Sequence, residues 1–582
     1  MKHPKIPLAQ TVIQLCKAKH IQHIVISPGS RNAPLTIGFT HDPFFKCYSI
    51  VDERCAGFFA LGIAQQIQEP VALVCTSGSA LLNYYPAVAE AFYSNIPLVV
   101  LSADRPKYLV GIGDGQTITQ EAVYKNHILY SGNLKQDLGE DTNLDSDQLP
   151  IIKSLENTLE KFLGLQQTIQ QYNEEQINKA INISVVQHGP VHLNVPFKEP
   201  LYTTVETLVV DPKIIPLEKK EVLNTDLSSS IKLWNQAKRK LVLIGTSKPN
   251  AVNQNFLNSL AEDESVLVLT ETTSNIHHEQ FIPGIDKLIG ALCTEEFNAL
   301  KPEILLTFGG LIVSKKIKKF LRDCKLKEHW HVGEHTANDT FFSLNKVFAM
   351  PINSFFSQFL PQTQAVKSNY NPFWLHTYNS RRIKHESYMQ SIPFSDFNVF
   401  NILLKAIPSH SLLQVGNSSA IRYTQLFDFN TSVHVFCNRG TSGIDGSTST
   451  AIGAAVASKL QTICITGDLS FFYDSNALWN NYIPNNFRII VVNNNGGGIF
   501  RILPGHKNTE NFDTYFETKH KLKAKQLCLM YGIEYEAACN ETELTSVLHT
   551  FYNKTDHPKL LEVFTPSEIN DEILLNYFES IK

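Results

Sequence analysis

Residues 463–498 read ICITGDLSFFYDSNALWNNYIPNNFRIIVVNNNGGG, and this stretch decides the fold. It contains two apolar runs, Ile463–Thr466 and Arg488–Val492, that have the length of buried strands. A Gly-Asp turn follows the first run and an Asn-Asn turn follows the second, with 26 positions from Asp468 to Asn494. A helical crossover between parallel strands has that length, so both turns are predicted to lie at the carboxyl edge of one sheet. Ligands of α/β proteins bind at that edge.

The two turns carry oxygen atoms that suit a hard divalent cation. Asp468 offers a carboxylate, Asn494 a side-chain carbonyl and Gly496 a backbone carbonyl. Mg²⁺ (or Mn²⁺) prefers such oxygen ligands and often shares them with phosphate groups. The adjoining glycines let the chain approach a diphosphate, and the helix that begins after Gly467 favours negative charge at its N-terminus. Either turn alone is more typical of a plain loop, whereas the two at this spacing predict a metal–diphosphate site.

The same alternation of short apolar runs and longer amphipathic segments extends over the whole chain. Most of the runs lack polar alternation, as in His23–Ile26, Val71–Cys75 and Leu241–Ile244. This pattern is typical of the α/β class, with mainly parallel sheets flanked by helices. Two linker-like stretches divide the chain into three predicted domains.

The predicted domains are residues 1–195, 210–360 and 370–582. Residues 133–175 are polar and rich in Gln, Asn and Glu, which indicates an inserted helical excursion in the first domain.

Composition excludes several classes of protein. The chain has 582 residues, 43% of them hydrophobic, only 18% charged, and a net charge of −4. These values argue against disorder and against a general nucleic-acid binder. We find no apolar run long enough for a membrane span and no signal peptide. The ten cysteines form no CxxC pair, so a reducing, cytoplasmic location is expected.

The Gly-Asp and Asn-Asn pairing resembles the diphosphate-binding signature of thiamine-diphosphate enzymes. Further motifs narrow the resemblance: SPGSRNAP at 27–34, GNSSAIR at 416–422 and NRGTSGIDG at 438–446. With residues 493–500, this set is similar to the 2-succinyl-5-enolpyruvyl-6-hydroxy-3-cyclohexene-1-carboxylate synthase family of menaquinone biosynthesis. The resemblance spans nearly the whole chain and implies the thiamine-diphosphate-binding fold, with pyrimidine-binding, central and diphosphate-binding domains.

The resemblance also implies the residues of the site. Glu53, at a strand-to-helix junction, would be the proton partner of the cofactor pyrimidine. Further acid–base assistance would come from a water molecule bound by Gln116 or from the amino group of the cofactor itself. The residues implied for cofactor and metal binding are Glu53, Gly467, Asp468, Leu469, Ser470, Asn494, Gly496, Ser418 and Ile444. The residues implied for substrate binding are Ser30, Arg31, Arg105, Gln116, Lys315, Lys316, Ser418, Arg422, Arg439, Ile499, Phe500 and Leu503.

The implied reaction decarboxylates 2-oxoglutarate and adds the succinyl carbanion in 1,4 fashion to isochorismate. Both substrates are dicarboxylates, and Arg suits carboxylates because its guanidinium binds them in a bidentate manner. Arg31, Arg105, Arg422 and Arg439 all follow strands, beside Gly, Ser or Pro. The resemblance further implies a homodimer, or a tetramer of two such dimers, whose active site takes Glu53 and Asp468 from different subunits.

Two departures and two alternatives accompany this interpretation. Gly115 and Lys316 stand where the family tends to carry Asn and Arg, and Lys315 and Lys316 also fit a solvated helix face. One alternative is another thiamine-diphosphate 2-keto acid decarboxylase or carboligase, of the acetolactate synthase kind. No GxGxxG motif follows Leu241–Ile244, and this weakens the case for a flavin-dependent enzyme of that kind. The other alternative is a non-catalytic diphosphate-binding homologue.

Overall fold

The computed structural model describes residues 1–137, 169–217, 226–335, 337–428, 430–502 and 509–582. The chain divides into two compact units. The first comprises Met1–Lys219, Ser449–Ala457 and Asp474–Ile483, and the second comprises Lys220–Thr448, Ser458–Tyr473 and Pro484–Lys582. Most of the residues predicted as a helical insertion, 133–175, lie outside the described part of the chain.

The first unit contains a six-stranded parallel sheet. Its strands are β2 (His23–Ile26), β3 (Lys46–Ser49), β4 (Val71–Cys75), β5 (Leu98–Asp104), β6 (Tyr130–Asn133) and β7 (Val191–Pro196). Two further short strands, β1 (His3–Pro4) and β8 (Thr204–Val205), form a separate antiparallel pair. The order in the sheet is β3-β2-β4-β5-β7-β6.

The second unit contains two parallel sheets. The five-stranded sheet has the order β10-β9-β11-β12-β13. Its strands are β9 (Lys240–Ile244), β10 (Val266–Leu269), β11 (Ile304–Phe308), β12 (Glu328–Val332) and β13 (Lys346–Phe348). The six-stranded sheet has the order β15-β14-β16-β17-β19-β18. Its strands are β14 (Leu412–Val415), β15 (His434–Phe436), β16 (Thr462–Gly467), β17 (Arg488–Asn493), β18 (Glu534–Ala538) and β19 (Lys559–Phe564).

Helices flank all three sheets. In the first unit they are Pro7–Ala18, Ala33–His41, Glu53–Ile67, Ser79–Asn83, Tyr85–Ser94 and Ile169–Gln187. In the second unit they are Ser228–Gln236, Gln254–Ala261, Ile285–Ile289, Thr294–Leu300, Lys315–Cys324, Ile352–Phe359, Tyr370–Met389, Asp396–Ala406, Ser419–Thr424, Asp468–Tyr473, Ile499–Ile502, Lys525–Tyr531, Glu541–Phe551 and Asn570–Ser580. The helix Ser447–Ala457 begins in the second unit, and its residues from Ser449 onward belong to the first.

The two six-stranded sheets share one strand order, and the five-stranded sheet follows the same order in its first four places. In each sheet the strand that comes first along the chain (β2, β9 or β14) lies second in the sheet, and the chain builds the sheet outward on both sides of it. The direction of the strand order therefore reverses at this strand. Ligands of open α/β sheets bind at such switch points. Eight of the twenty residues predicted for substrate and cofactor, Arg31, Ser418 and Asp468 among them, follow or end β2, β14 or β16.

The central strands are buried on both faces, as their unbroken apolar sequences predict. Every residue of β2, β4, β9, β11 and β14 is buried. The predicted α/β class with parallel sheets and flanking helices is confirmed. Within the described residues, no helix is both long enough and apolar enough to cross a membrane.

A buried ion pair stabilises the five-stranded sheet. Lys240, at the start of β9, has a fully buried side chain whose Nζ lies 2.7 Å from Asp263 Oδ2. The Asp263 carboxylate also accepts hydrogen bonds from the hydroxyl of Ser265 at 2.6 Å and the amide of Val366 at 3.1 Å. Removal of this carboxylate leaves an ammonium group buried without its counter-ion.

We therefore predict that Asp263→Ala lowers the free energy of unfolding by about 3 kcal/mol or more. Calorimetric melting of the full chain measures the effect. The matched control is Lys405→Ala, which removes an ion pair to Glu386 whose side chains are 60% and 61% exposed; its expected cost is about 1 kcal/mol or less. Equal melting temperatures for Asp263→Ala and the unsubstituted chain would contradict the prediction.

Candidate active site

The Gly-Asp and Asn-Asn turns meet at the carboxyl edge of β16 and β17. Gly467 ends β16, and Asp468 begins the helix Asp468–Tyr473. The Asp468 carboxylate is 3% exposed. It accepts hydrogen bonds from the amide of Leu469 at 2.7 Å and from the amide of Gly496 at 2.9 Å. The contact between Asp468 and Gly496 therefore joins the two turns directly.

Asn494 presents an oxygen atom that has no hydrogen-bond partner among the described residues. The side chain is buried, and its Nδ2 donates to Asp396 Oδ2 at 2.8 Å. This bond fixes the amide orientation and leaves Oδ1 buried and unpaired. An unpaired buried carbonyl oxygen costs free energy unless a cation or donor fills its place. Asp468 and Asn494 thus fit the oxygen ligands that Mg²⁺ or Mn²⁺ requires.

Two neighbours occupy part of this oxygen cluster. The carbonyl of Gly496 accepts the amide of Gly498 at 3.1 Å, so it makes a local turn contact in addition to its predicted place beside the cation. His520 Nε2 lies 3.1 Å from Asp468 Oδ2. The imidazole therefore lies beside the same carboxylate oxygen that accepts the Gly496 amide.

Asp396 supports Asn494 and was missed by the sequence reasoning. This carboxylate is 3% exposed and accepts the hydroxyl of Thr565 at 2.5 Å. Burial raises the pKa of Asp396 to about 6. Asp396 lies 98 positions from Asn494, so no local motif joins them. Its position after Ser395, which caps the helix Asp396–Ala406, suggests only a favourable residue at a helix N-terminus.

The NRGTSGIDG loop contacts the helix Asp468–Tyr473 through Ser470. The Ser470 hydroxyl donates to the carbonyl of Ile444 at 2.6 Å. In the same loop, the Arg439 guanidinium donates from Nη1 to Asn417 Oδ1 at 2.6 Å. Arg439 Nε is buried and has no hydrogen-bond partner among the described residues.

Arg422 lies beside Arg439 and is tied to the same turn. Its Nη1 donates to the carbonyl of Ser418 at 2.8 Å, and Ser418 adopts a positive φ of 72°. Burial and the neighbouring charge of Arg439 both lower the pKa of Arg422. Two adjacent guanidinium groups repel each other, and an anion between them relieves that repulsion.

Lys315 and Lys316 begin the helix Lys315–Cys324 and retain exposed surface. The solvated-face interpretation is incomplete, because Lys316 Nζ lies 3.3 Å from the centroid of the Phe578 ring. Desolvation raises the pKa of Asp286, while the Ser314 hydroxyl and the charges of Lys316 and Arg422 lower it. Lys316 and Arg422 are therefore both within electrostatic reach of one carboxylate.

Glu271 anchors the backbone before these lysines and was also missed. Its carboxylate accepts the amides of Val313 and Ser314, both at 2.7 Å. Burial raises the pKa of Glu271 to about 7, and the two amides oppose that rise. The sequence carries no signal for this long-range contact.

Ile499 and Phe500 lie in the short helix Ile499–Ile502 and are half-buried. The Phe500 ring lies 6.1 Å from the Phe516 ring, edge to face. Leu503, the third member of the predicted apolar wall, lies outside the described residues.

In the first unit, Glu53 is the first residue of the helix Glu53–Ile67. The Asp52 side chain caps this helix by accepting the amide of Arg54 at 3.0 Å. Glu53 is half-buried, and its Oε2 accepts a hydrogen bond from Asn83 Nδ2 at 3.3 Å. The carboxylate is thus held at the strand-to-helix junction that the sequence predicts.

Arg31 and Arg105 lie close enough for their charges to interact. Arg31 is buried and donates to the carbonyl of Phe197 at 3.2 Å. Burial and the neighbouring Arg105 charge lower the pKa of Arg31. Arg31 Nε is buried and has no hydrogen-bond partner among the described residues.

The Arg105 guanidinium donates to the carbonyl of Gly115 at 2.9 Å. A Cβ added at position 115 would meet no atom within 4 Å, so the glycine is not required there by close packing. Gln116 and Ser30 are exposed. The Gln116 backbone lies against the Gly78 turn, where an added Cβ would come within 3.1 Å of its carbonyl oxygen.

Comparison with known proteins places this chain in a family. Three family descriptions match in succession: "Thiamine pyrophosphate enzyme, N-terminal TPP binding domain" at residues 6–127, "Middle domain of thiamine pyrophosphate" at 216–413, and "Thiamine pyrophosphate enzyme, C-terminal TPP binding domain" at 414–563.

Full-length relatives give the family its name. A 2-succinyl-5-enolpyruvyl-6-hydroxy-3-cyclohexene-1-carboxylate synthase of Flavobacterium psychrophilum is 54% identical over 581 residues, which is 100% of both chains. The synthase of Christiangramia forsetii is 56% identical over 591 residues, again 100% of both chains. That of Porphyromonas gingivalis is 35% identical over 583 residues, 98% of this chain and 96% of the relative. The chain belongs to the thiamine-diphosphate-dependent 2-succinyl-5-enolpyruvyl-6-hydroxy-3-cyclohexene-1-carboxylate synthase family.

Proposed function

We propose that the chain decarboxylates 2-oxoglutarate and adds the succinyl carbanion in 1,4 fashion to isochorismate. The products are 2-succinyl-5-enolpyruvyl-6-hydroxy-3-cyclohexene-1-carboxylate and CO₂, in menaquinone biosynthesis. The observation that carries the proposal is the pair of neighbouring guanidinium groups of Arg422 and Arg439, which are both hydrogen-bonded to the turn that contains Asn417 and Ser418. Such a pair suits the distal carboxylate of a dicarboxylic keto acid, which pyruvate lacks.

Asp468, Asn494 and the Gly496 carbonyl are the proposed ligands of Mg²⁺ or Mn²⁺. Gly467, Leu469 and Ser470 border the place for the diphosphate, and Ser418 and Ile444 border the rest of the cofactor. The buried Asn494 Oδ1, unpaired among the described residues, supports this assignment. When bound, thiamine diphosphate supplies the carbanion chemistry and accepts the electrons that decarboxylation releases.

Glu53 is the proposed proton partner of the cofactor pyrimidine. Its carboxyl group would hydrogen-bond a ring nitrogen and hold the proton there, which orients and activates the cofactor. The hydrogen bond from Asn83 at 3.3 Å supports a fixed position for the carboxylate. Glu53 and Asp468 lie in different units of the chain. We propose that Glu53 of one protomer and Asp468 of its partner complete each site in a homodimer, or in a tetramer of two dimers.

The remaining residues bind the substrates and exclude water. Arg31 and Arg105 would bind the isochorismate carboxylates, with Ser30 and Gln116 hydrogen-bonding nearby. The unpaired Arg31 Nε supports an anionic ligand there. Lys315 and Lys316 would add positive charge at the same cavity, and Ile499, Phe500 and Leu503 would form its apolar wall. Because protonation by water competes with the addition to isochorismate, this wall serves to keep bulk solvent away. Gln116 is the proposed side chain for acid–base assistance, through a bound water molecule.

A product assay tests the proposed function. We predict that the full chain, supplied with thiamine diphosphate and Mg²⁺, releases CO₂ from 2-oxoglutarate and forms the succinylated cyclohexene carboxylate only when isochorismate is present. Mass spectrometry identifies the product. Pyruvate in place of 2-oxoglutarate is the control. A requirement for pyruvate would instead indicate a carboligase that resembles acetolactate synthase. Failure to bind thiamine diphosphate in calorimetry would indicate a non-catalytic homologue.

We further predict that Glu53→Gln lowers kcat at least about 100-fold, because the amide has no carboxyl proton to share with the pyrimidine. Calorimetric affinity for thiamine diphosphate with Mg²⁺ is expected to stay within a few fold, because the metal ligands are untouched. Glu69→Gln, an exposed carboxylate beyond the end of the same helix, is the matched control with unchanged kcat. Normal turnover by Glu53→Gln would remove Glu53 from its proposed role.

A further inference from the structure

Asn417 occupies the turn between β14 and the helix Ser419–Thr424, at the switch point of the six-stranded sheet. The side chain is 2% exposed. It lies between Gly416 and Ser418, the residue with a φ of 72°. A strained backbone persists only where the surroundings hold it in place. The amide of Asn417 provides such a constraint.

The amide makes three contacts with the NRGTSGIDG loop and a fourth with Cys437, the residue before it. Its Nδ2 donates to the carbonyls of Asn438 and Gly443, each at 2.7 Å. Its Oδ1 accepts from Arg439 Nη1 at 2.6 Å and from Cys437 Sγ at 3.3 Å. Both hydrogens and both lone pairs of the amide are therefore used.

This set of partners demands an amide. Two carbonyl oxygens need donors, and a guanidinium needs an acceptor, on a single planar group. An aspartate would face the two carbonyls with an oxygen that cannot donate, and it would neutralise Arg439. A shorter hydroxyl cannot reach all three groups, so buried polar atoms would lose their partners.

The turn that contains Asn417 holds both arginines in place. Asn417 holds Arg439 through its side chain, and the adjacent Ser418 carbonyl holds Arg422 at 2.8 Å. Arg439 keeps a buried Nε with no hydrogen-bond partner among the described residues. One three-residue turn thus fixes the guanidinium pair that we assign to the distal carboxylate of the keto acid.

We propose that Asn417 is a positioning residue that sets the preference for a dicarboxylic keto acid by fixing Arg439. This inference rests on the proposed function. A positioning role affects recognition of the distal carboxylate, whereas a purely structural role would impair the whole domain.

The test compares Asn417→Asp and Asn417→Ser with the unsubstituted chain. Steady-state kinetics are measured with 2-oxoglutarate and with 2-oxopentanoate, which has the same carbon chain without the distal carboxylate. We expect KM for 2-oxoglutarate to rise at least about tenfold in both variants, with a much smaller change in kcat. The kcat/KM for 2-oxoglutarate divided by the kcat/KM for 2-oxopentanoate is expected to fall. Calorimetric affinity for thiamine diphosphate with Mg²⁺ is expected to stay within about twofold.

A double-mutant cycle with Arg439→Ala identifies the route of the effect. If Asn417 acts through Arg439, the rise in KM caused by Asn417→Ser disappears in the Arg439→Ala background. An equal rise in both backgrounds would overturn the proposal, as would an unchanged KM in both single variants.

Asn275→Asp is the matched control. Asn275 is also buried, and among the described residues its amide bonds only backbone groups: the carbonyls of Ser247, Thr273 and Val435 and the amide of Val435. We expect this substitution to lower the melting temperature and to leave the keto acid ratio unchanged. If the unsubstituted chain does not consume 2-oxoglutarate, the proposed function itself fails, and that result is evident before any variant is compared.

Discussion

The hydrogen bond from the Gly496 amide to the Asp468 carboxylate joins the two turns on which the site depends. The two residues are 28 positions apart in the chain, and the Gly496 nitrogen lies 2.9 Å from Asp468 Oδ2. This bond connects the turns that follow β16 and β17. Burial makes this contact consequential, because an isolated buried carboxylate is costly. Two amides compensate the charge of Asp468 in part, and the unpaired oxygen of Asn494 marks the place where a cation would complete the compensation.

The rest of the site follows from one repeated topology. Two six-stranded sheets share a strand order, and a five-stranded sheet follows it in part. In the second unit, the turns after β14 and β16 and the NRGTSGIDG loop are joined by side-chain contacts of Asn417 and Ser470. In the first unit, the turn after β2 supplies Arg31, and the helix after β3 supplies Glu53. Each unit thus presents arginines and a carboxylate after the carboxyl ends of its strands. Carbonyl oxygens hold Arg31, Arg422 and Arg439, and amide N–H groups hold Glu53 and Asp468.

The sequence predicted the parts of this arrangement that local pattern controls. Strand identity could be predicted because central parallel strands need apolar residues on both faces, and the interval from Asp468 to Asn494 predicted their meeting. The supporting residues could not be predicted in this way. Asp396 meets Asn494 from 98 positions away, and Glu271 meets Val313 from 42. Such contacts are set by tertiary packing, and an acidic residue near a helix start is common without them. The domain boundaries at 195, 210, 360 and 370 stay predictions, as do the residue roles.

Anomalous diffraction from crystals grown with thiamine diphosphate and Mn²⁺ shows whether Asp468 and Asn494 Oδ1 bind the cation that holds the diphosphate. We expect one manganese peak at about 2.0–2.3 Å from an Asp468 carboxylate oxygen and from Asn494 Oδ1, with Asn494 Nδ2 still bonded to Asp396. A peak elsewhere, or an Asn494 amide turned so that its nitrogen faces the metal, would rule out this pair of ligands.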